Sequence, residues 1–179
     1  MTPDRSSQVL ITFYRGDLYF VNNSFSDGGA VQLYGASTNC IMMGNKCARV
    51  GGFSAWGLNP HKLYWQPSMY NLFINNTISE GNCWANTAAA FFSISDSAAP
   101  VPMVRYNVWR RNKIDNNASF SIGGSVEDSL YEKNTVANSG VAFLTTGTGV
   151  GVANVLRKNV LQSCPTLISG PGASKFKQF

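Results

Sequence analysis

The sequence predicts an all-β chain wound into a right-handed parallel β-helix, a solenoid of about six to seven coils with loop insertions in the central coils. Three observations predict it. A phrase built on asparagine keeps returning, as "YFVNNSFSDGG", "IMMGNKCARVG", "LFINNTISEGN", "VWRRNKIDNNA", "LYEKNTVANSG" and "VLRKNVLQSCP". After each phrase comes a short apolar–polar–apolar run, the period of a strand with one buried face. The composition, with 17 glycines and only 13% charged residues, suits short strands and tight turns; a helical bundle needs more charge on its wet faces.

Aligned on Asn23, Asn45, Asn76, Asn112, Asn134 and Asn159, the phrases share their neighbours. Three positions earlier stand Phe20, Met42, Phe73, Trp109, Tyr131 and Leu156, all large and apolar. Two positions later stand Phe25, Cys47, Ile78, Ile114, Val136 and Leu161, again apolar. The inward pair of the following strand is expected eight and ten positions after the asparagine. That count gives Val31 and Leu33, Phe53 and Ala55, Phe120 and Ile122, Ala142 and Leu144, and Leu167 and Ser169. The same roles are expected of Phe92 and Ile94 in the coil of Asn76, and of Val9 and Ile11 before the first phrase. A unit of about 22 residues cannot bury its apolar face alone, so successive units must stack. An asparagine at one fixed place in a stack forms a ladder, each amide bonding to the rungs beside it. A leucine-rich repeat is excluded because no L-x-x-L-x-L run is present.

The central coils carry the insertions, since the spacings between ladder asparagines run 22, 31, 36, 22 and 25. The added residues gather in "GLNPHKLYWQPSMY", "GNCWANTA" and "SAAPVPM". The first of these regions brings Trp56, His61, Tyr64, Trp65 and Tyr70, and the second Cys83 and Trp84. Aromatic rings with polar tips suit sugar faces and hydroxyls, so Trp56, Tyr64, Trp65 and Trp84 are the expected substrate-binding residues. The same rings would serve equally as anchors packing the loops against the helix wall.

For chemistry, the column four positions after the ladder asparagine begins Asp27, Arg49, Glu80. Rungs lie about 4.8 Å apart, so these can form a vertical carboxylate–guanidinium–carboxylate run. Arg49 and Glu80 are therefore candidate catalytic residues, and the commoner reading is a salt-bridge ladder closing a turn. Asp96, at the end of the strand in the most interrupted coil, and His61, the only histidine, complete the catalytic candidates as an acid–base pair. Arg111, Lys133 and Lys158, preceded by Arg110 and Arg157, form a basic stripe on the later coils.

The net charge of +5 is compatible with an acidic polymer, but no basic run exceeds Arg110-Arg111, which argues against nucleic acid. The start has no signal-peptide pattern and no segment reaches membrane-spanning length. Cys40, Cys47, Cys83 and Cys164 lack CxxC spacing, so they read as buried thiols and no metal site is expected.

The N-x-apolar corner and the alternating strand after it resemble the pectin-lyase-like superfamily across nearly the whole chain. That resemblance implies a carbohydrate-active β-helix, a lyase, hydrolase or epimerase relative, with a polysaccharide along its strand face. It also implies a secreted or cell-surface setting. No three-acid Ca²⁺ cluster stands out on successive strands, so no cofactor is expected, and "NTI" and "NTV" place an apolar residue where the polygalacturonase-like N-T-D phrase has its acid. The alternative is a non-catalytic carbohydrate-binding or structural module of tailspike or adhesin type. The whole of 1–179 is expected to be one β-helix domain, a fragment of a longer helix or one whose uncapped ends are covered by self-association or a partner chain.

Overall fold

The computed structural model describes residues 11–13, 16–27, 31–34, 37–49, 53–57, 68–79, 89–95, 104–115, 119–123, 126–146 and 153–179. Among them the chain forms short strands stacked into parallel sheets, a parallel β-helix. Sheet A holds Ile11–Phe13, Val31–Tyr34, Phe53–Gly57, Ala89–Ser95, Ser119–Gly123, Val141–Thr145 and Thr166–Ser169. Sheet D holds the two-residue strands Ser37–Thr38, Ser68–Met69, Val104–Arg105 and Val126–Glu127. Sheet B holds Tyr19–Val21, Ile41–Met43, Leu72–Ile74, Val108–Arg110, Leu130–Glu132, Val155–Arg157 and Lys177–Gln178. Sheet C holds Ser24–Ser26, Lys46–Ala48, Thr77–Ser79, Lys113–Asp115, Thr135–Ala137 and Val160–Gln162. A full coil runs A, D, B, C and back to A.

Sharp corners allow strands this short. Just before sheet B the backbone is left-handed at Asp17, Asn39, Tyr70, Tyr106, Asp128 and Ala153, with φ from +49° to +65°. Between sheets B and C it is left-handed at Asn22, Gly44, Asn75, Arg111, Lys133 and Lys158, with φ from +52° to +66°. After sheet C the same conformation recurs at Asp27, Arg49, Asn138 and Ser163. Asn, Asp and Gly enter this region readily, whereas Tyr, Arg and Lys do so against a steric penalty from Cβ.

Each corner next to a ladder needs a partner for its backbone, and asparagine supplies it. At the B–C corner the Asn76 amide nitrogen donates to Met42 O at 2.8 Å and to Asn112 Oδ1 at 3.0 Å. Its own Oδ1 accepts from the Asn45 backbone N–H and side-chain amide at 3.1 and 2.9 Å. The same exchange links Asn23 to Asn45, Asn112 to Asn134 and Asn134 to Asn159. Unpaired polar groups in the interior would be expensive, so this run specifies the corner as well as stabilising it.

A second ladder runs at the D–B corner, five positions earlier in each coil. Cys40 N–H donates to Asn71 Oδ1, Asn71 N–H to Asn107 Oδ1, Asn107 N–H to Ser129 Oγ and Ser129 N–H to Asn154 Oδ1. Its column reads Leu18, Cys40, Asn71, Asn107, Ser129, Asn154. Only half of it is asparagine, which is why a search for a repeated residue passes over it.

The core lies between the sheets. Sheet B contributes Met42, Phe73, Trp109, Tyr131 and Leu156, all buried as their column predicts. Phe73 and Trp109 stack at 3.7 Å between centroids, and Phe120 stacks on Phe143 at 4.8 Å. Trp109 meets Phe120 edge-on at 88°, so rings from two sheets lock together across the interior. Cys40, Cys47 and Cys164 are buried free thiols, as expected, while Cys83 lies outside the described residues.

Counting from the asparagine places sheet A correctly in some coils and wrongly in others. Val31 pairs with Phe53 and Leu33 with Ala55, as expected. In the coil of Asn76 it is Phe91 that aligns with Phe53 and Phe120, and Ser93 with Ala55 and Ile122, in place of Phe92 and Ile94. Phe120 pairs with Phe143 and Ile122 with Thr145, so Phe143 and Thr145 replace the expected Ala142 and Leu144. Phe143 then pairs with Ile168, where Leu167 was expected to hold that role and Ser169 the other. At the start, Ile11 pairs with Val31 and Phe13 with Leu33, two residues on from the expected Val9 and Ile11. The connection from sheet C to sheet A varies in length, and a one-residue slip exchanges the two faces of a strand.

Candidate functional site

Of the expected site residues, Arg49 alone has a described side chain. It sits half-exposed at a left-handed corner, and its Nη2 donates to Asp27 Oδ2 at 2.7 Å in a two-pronged ion pair. The Asp27–Arg49 part of the predicted vertical run is therefore present as a turn-closing pair. Trp56 belongs to the strand Phe53–Gly57, in register with Tyr34 and Ile94, and so is not part of an inserted loop. His61, Tyr64, Trp65, Glu80, Trp84 and Asp96 lie outside the described residues.

The described residues bring together a different constellation on the outward face, centred on the coil "RYNVWRRNKID". Alternation sends Val108 and Arg110 out of sheet B while Trp109 goes into the core, fully buried. The chain then turns at Arg111, with φ +54°, and Lys113 is exposed on sheet C. One and two rungs further on, the same corner holds Lys133 and Lys158, both exposed, with φ +54° and +52°. At about 4.8 Å per rung, the three corner cations span about 10 Å along the helix axis. Among the described residues none of Arg111, Lys113, Lys133 and Lys158 has an acidic partner. Earlier coils place Asn22, Gly44 and Asn75 at this corner, the residues that suit it sterically.

Beside the stripe, Glu132 is 7% exposed and bridges two cations, Arg110 Nε at 2.7 Å and Arg157 Nη2 at 2.7 Å. Burial works against its charge, but the two guanidinium groups outweigh that and hold its pKa below the ordinary carboxylate value. Asp115 accepts from the Asn138 amide at 2.7 Å, and Arg105 engages Asp128 at 3.0 Å. The carboxylates around the stripe are thus engaged, while its corner cations face solvent.

Lower on the same flank, sheet C carries a shallow groove of about 390 Å³ lined by Ser24, Ser26, Lys46, Cys47, Ala48, Thr77 and Ser79. Four of its seven lining residues carry hydroxyls, and Lys46 stands in the same outward column as Lys113. Hydroxyls and a spaced row of cations on a flat strand face can hold an extended, oxygen-rich polymer through hydrogen bonds and charge. The sequence named the stripe, but the groove became legible only once the strands were stacked. Cys47 turns its side chain into the core beneath the groove, and burial there pushes its thiol well above its ordinary pKa.

The fold and its buried asparagines define the class, a parallel β-helix with asparagine ladders. No family model matches this chain, and neither a curated protein nor a solved structure is similar to it.

Proposed function

We propose that the protein is a carbohydrate-binding β-helix whose ligand is an acidic polysaccharide, laid along the edge between sheets B and C. The observation that carries this reading is the run of Arg111, Lys133 and Lys158 at three successive left-handed corners, where Asn or Gly would fit at less steric cost. Each faces solvent, and each offers a cation to an anionic group on a chain that runs parallel to the axis. The hydroxyl-lined groove on sheet C continues the same path toward the first coils. Kinship with the pectin-lyase-like proteins is the finer form of this reading, supported by the ladder at the B–C corner and the large apolar residue three positions before it.

Binding is favoured over turnover by the state of the nearby carboxylates. Asp115, Glu132 and Asp128 are each held by a neighbouring donor, which suits a fixed charge pattern better than proton transfer. The processing alternative rests on His61, Asp96, Arg49 and Glu80 in and beside the central coils. Incubation with acidic and neutral polysaccharides decides between them. Retention by acidic polymers, with no new reducing ends and no unsaturated-uronate absorbance, is the expected outcome. Product from any polymer would make the protein an enzyme, and no retention by an acidic polymer would overturn the reading.

A further inference from the structure

The other edge of sheet B carries a feature that the basic stripe does not use. At the D–B corner the residues Asp17, Asn39, Tyr70 and Tyr106 stack one per rung, tied by backbone hydrogen bonds from Asp17 N–H to Thr38 O, Asn39 N–H to Met69 O and Tyr70 N–H to Arg105 O. Tyr70 and Tyr106 occupy the left-handed region at φ +58° and +55°, an unusual place for a bulky side chain. Their rings stack at 5.1 Å between centroids and 9° between planes. The Arg105 guanidinium lies over the Tyr106 ring at 4.8 Å. Tyr106 is thus engaged by the Tyr70 ring and by Arg105, which also donates to its hydroxyl at 2.8 Å. Tyr70, 56% exposed, has among the described residues a ring partner on one face only.

The other face of Tyr70, without a ring partner among the described residues, is turned toward the rung of Asn39. Asn39 on that rung carries a shorter side chain than Tyr70. Asn39 and Asp17 are both exposed at this corner, and neither side chain has a partner among the described residues. Tyr19, 69% exposed, stands beside it on sheet B.

We infer that Asp17, Asn39 and Tyr70 form a subsite for a neutral hexopyranose unit. The C–H face of such a ring would lie on Tyr70, the Asn39 amide would donate to and accept from hydroxyls, and the Asp17 carboxylate would accept from a vicinal hydroxyl. The carboxylate also repels uronate and sulfate, which is why this subsite takes a neutral unit while the opposite edge takes an acidic one. The inference rests on the polysaccharide reading and adds that the ligand chain contains neutral sugars. A sheet B strand of three residues spans about 10 Å, so one chain crossing it obliquely can meet both edges.

The test uses two variants that suit the left-handed corner and so preserve the fold, Tyr70→Asn and Asn39→Gly. Titration calorimetry would use oligosaccharides of glucose, mannose and galactose as neutral probes and oligogalacturonate as the acidic one. Wild type is expected to bind at least one neutral probe, and each variant to bind it at least about tenfold more weakly. If no neutral probe binds wild type, or if Y70N and N39G bind as wild type does, the subsite is refuted. Wild-type affinity for oligogalacturonate then tells whether the polysaccharide reading survives, because that affinity resides at the other edge.

Discussion

Replacing Asn76 with alanine removes the middle of the first ladder and measures what the ladder does. Asn76 is 0% exposed, so water does not replace its partners. The Asn112 Oδ1 keeps one donor, the Asn76 backbone N–H at 3.0 Å, and Asn45 keeps one amide hydrogen on Phe20 O at 2.9 Å. Two groups lose their partners, the Asn45 backbone N–H and the other Asn45 amide hydrogen, while the Met42 carbonyl loses one of its donors but stays in the sheet B ladder. A buried polar group left unpaired costs about 1 to 3 kcal/mol. Taking the lower part of that range for each, the substitution should destabilise the protein by about 2 to 3 kcal/mol, a sizeable share of a typical domain's stability. Asn23 is the control. Its amide donates to Val21 O at 3.2 Å and Asn45 Oδ1 at 3.1 Å, it is only half-buried, and nothing among the described residues donates to its side-chain Oδ1. Asn23→Ala should therefore cost about 1 kcal/mol. Urea unfolding followed by tryptophan fluorescence gives both values, provided the slopes agree. An Asn76→Ala loss below about 1 kcal/mol, or one no larger than that of Asn23→Ala, would refute the account of the ladder.

Three further outcomes are expected. Because Arg110 and Arg157 depress the Glu132 pKa, its ionised form adds stability above the unfolded value of about 4.3, and that stability is lost as pH falls through the lower folded value. Glu132→Gln should lower the thermal midpoint at pH 7 and flatten its decline in acid; an unchanged acid limb would contradict this. Burial raises the thiol pKa of Cys40, Cys47 and Cys164, so mapped alkylation of native protein should leave all three unlabelled until denaturant is added. Gly44 has φ +66°, and a Cβ there would fall on Asn22 Oδ1, so Gly44→Ala should lower stability by about 1 kcal/mol or more in the same urea assay.

Much of the fold was legible because one residue type marks the B–C corner in every coil. The apolar columns around that asparagine, from Phe73 and Ile78 to Tyr131 and Val136, are buried where the repeat puts them. Sheet A was less legible because the connection into it changes length between coils. In "VAFLT" every one of the first four residues is apolar, so alternation could not choose between Ala142 and Phe143. The stack of Phe143 on Phe120 decides it. The second ladder was hidden by its mixture of Cys, Asn and Ser, which share a side-chain or backbone role but not a letter. Of the site, the basic stripe could be read directly from its spacing. The Tyr70–Tyr106 pair could not, because 36 residues separate the partners and only the stacking of two interrupted coils makes them neighbours.

The claim that an acidic polysaccharide lies along the B–C corner is tested most directly by one comparison. Wild type and R111N/K133N/K158N are titrated with oligogalacturonate at low salt and again at about 0.15 M. The account predicts that wild type binds, that salt weakens it, and that the variant binds at least about tenfold less well. It also predicts that the variant is as stable as wild type or more so, because asparagine relieves three left-handed corners. Equal affinity in the two proteins would place the ligand elsewhere and contradict the account.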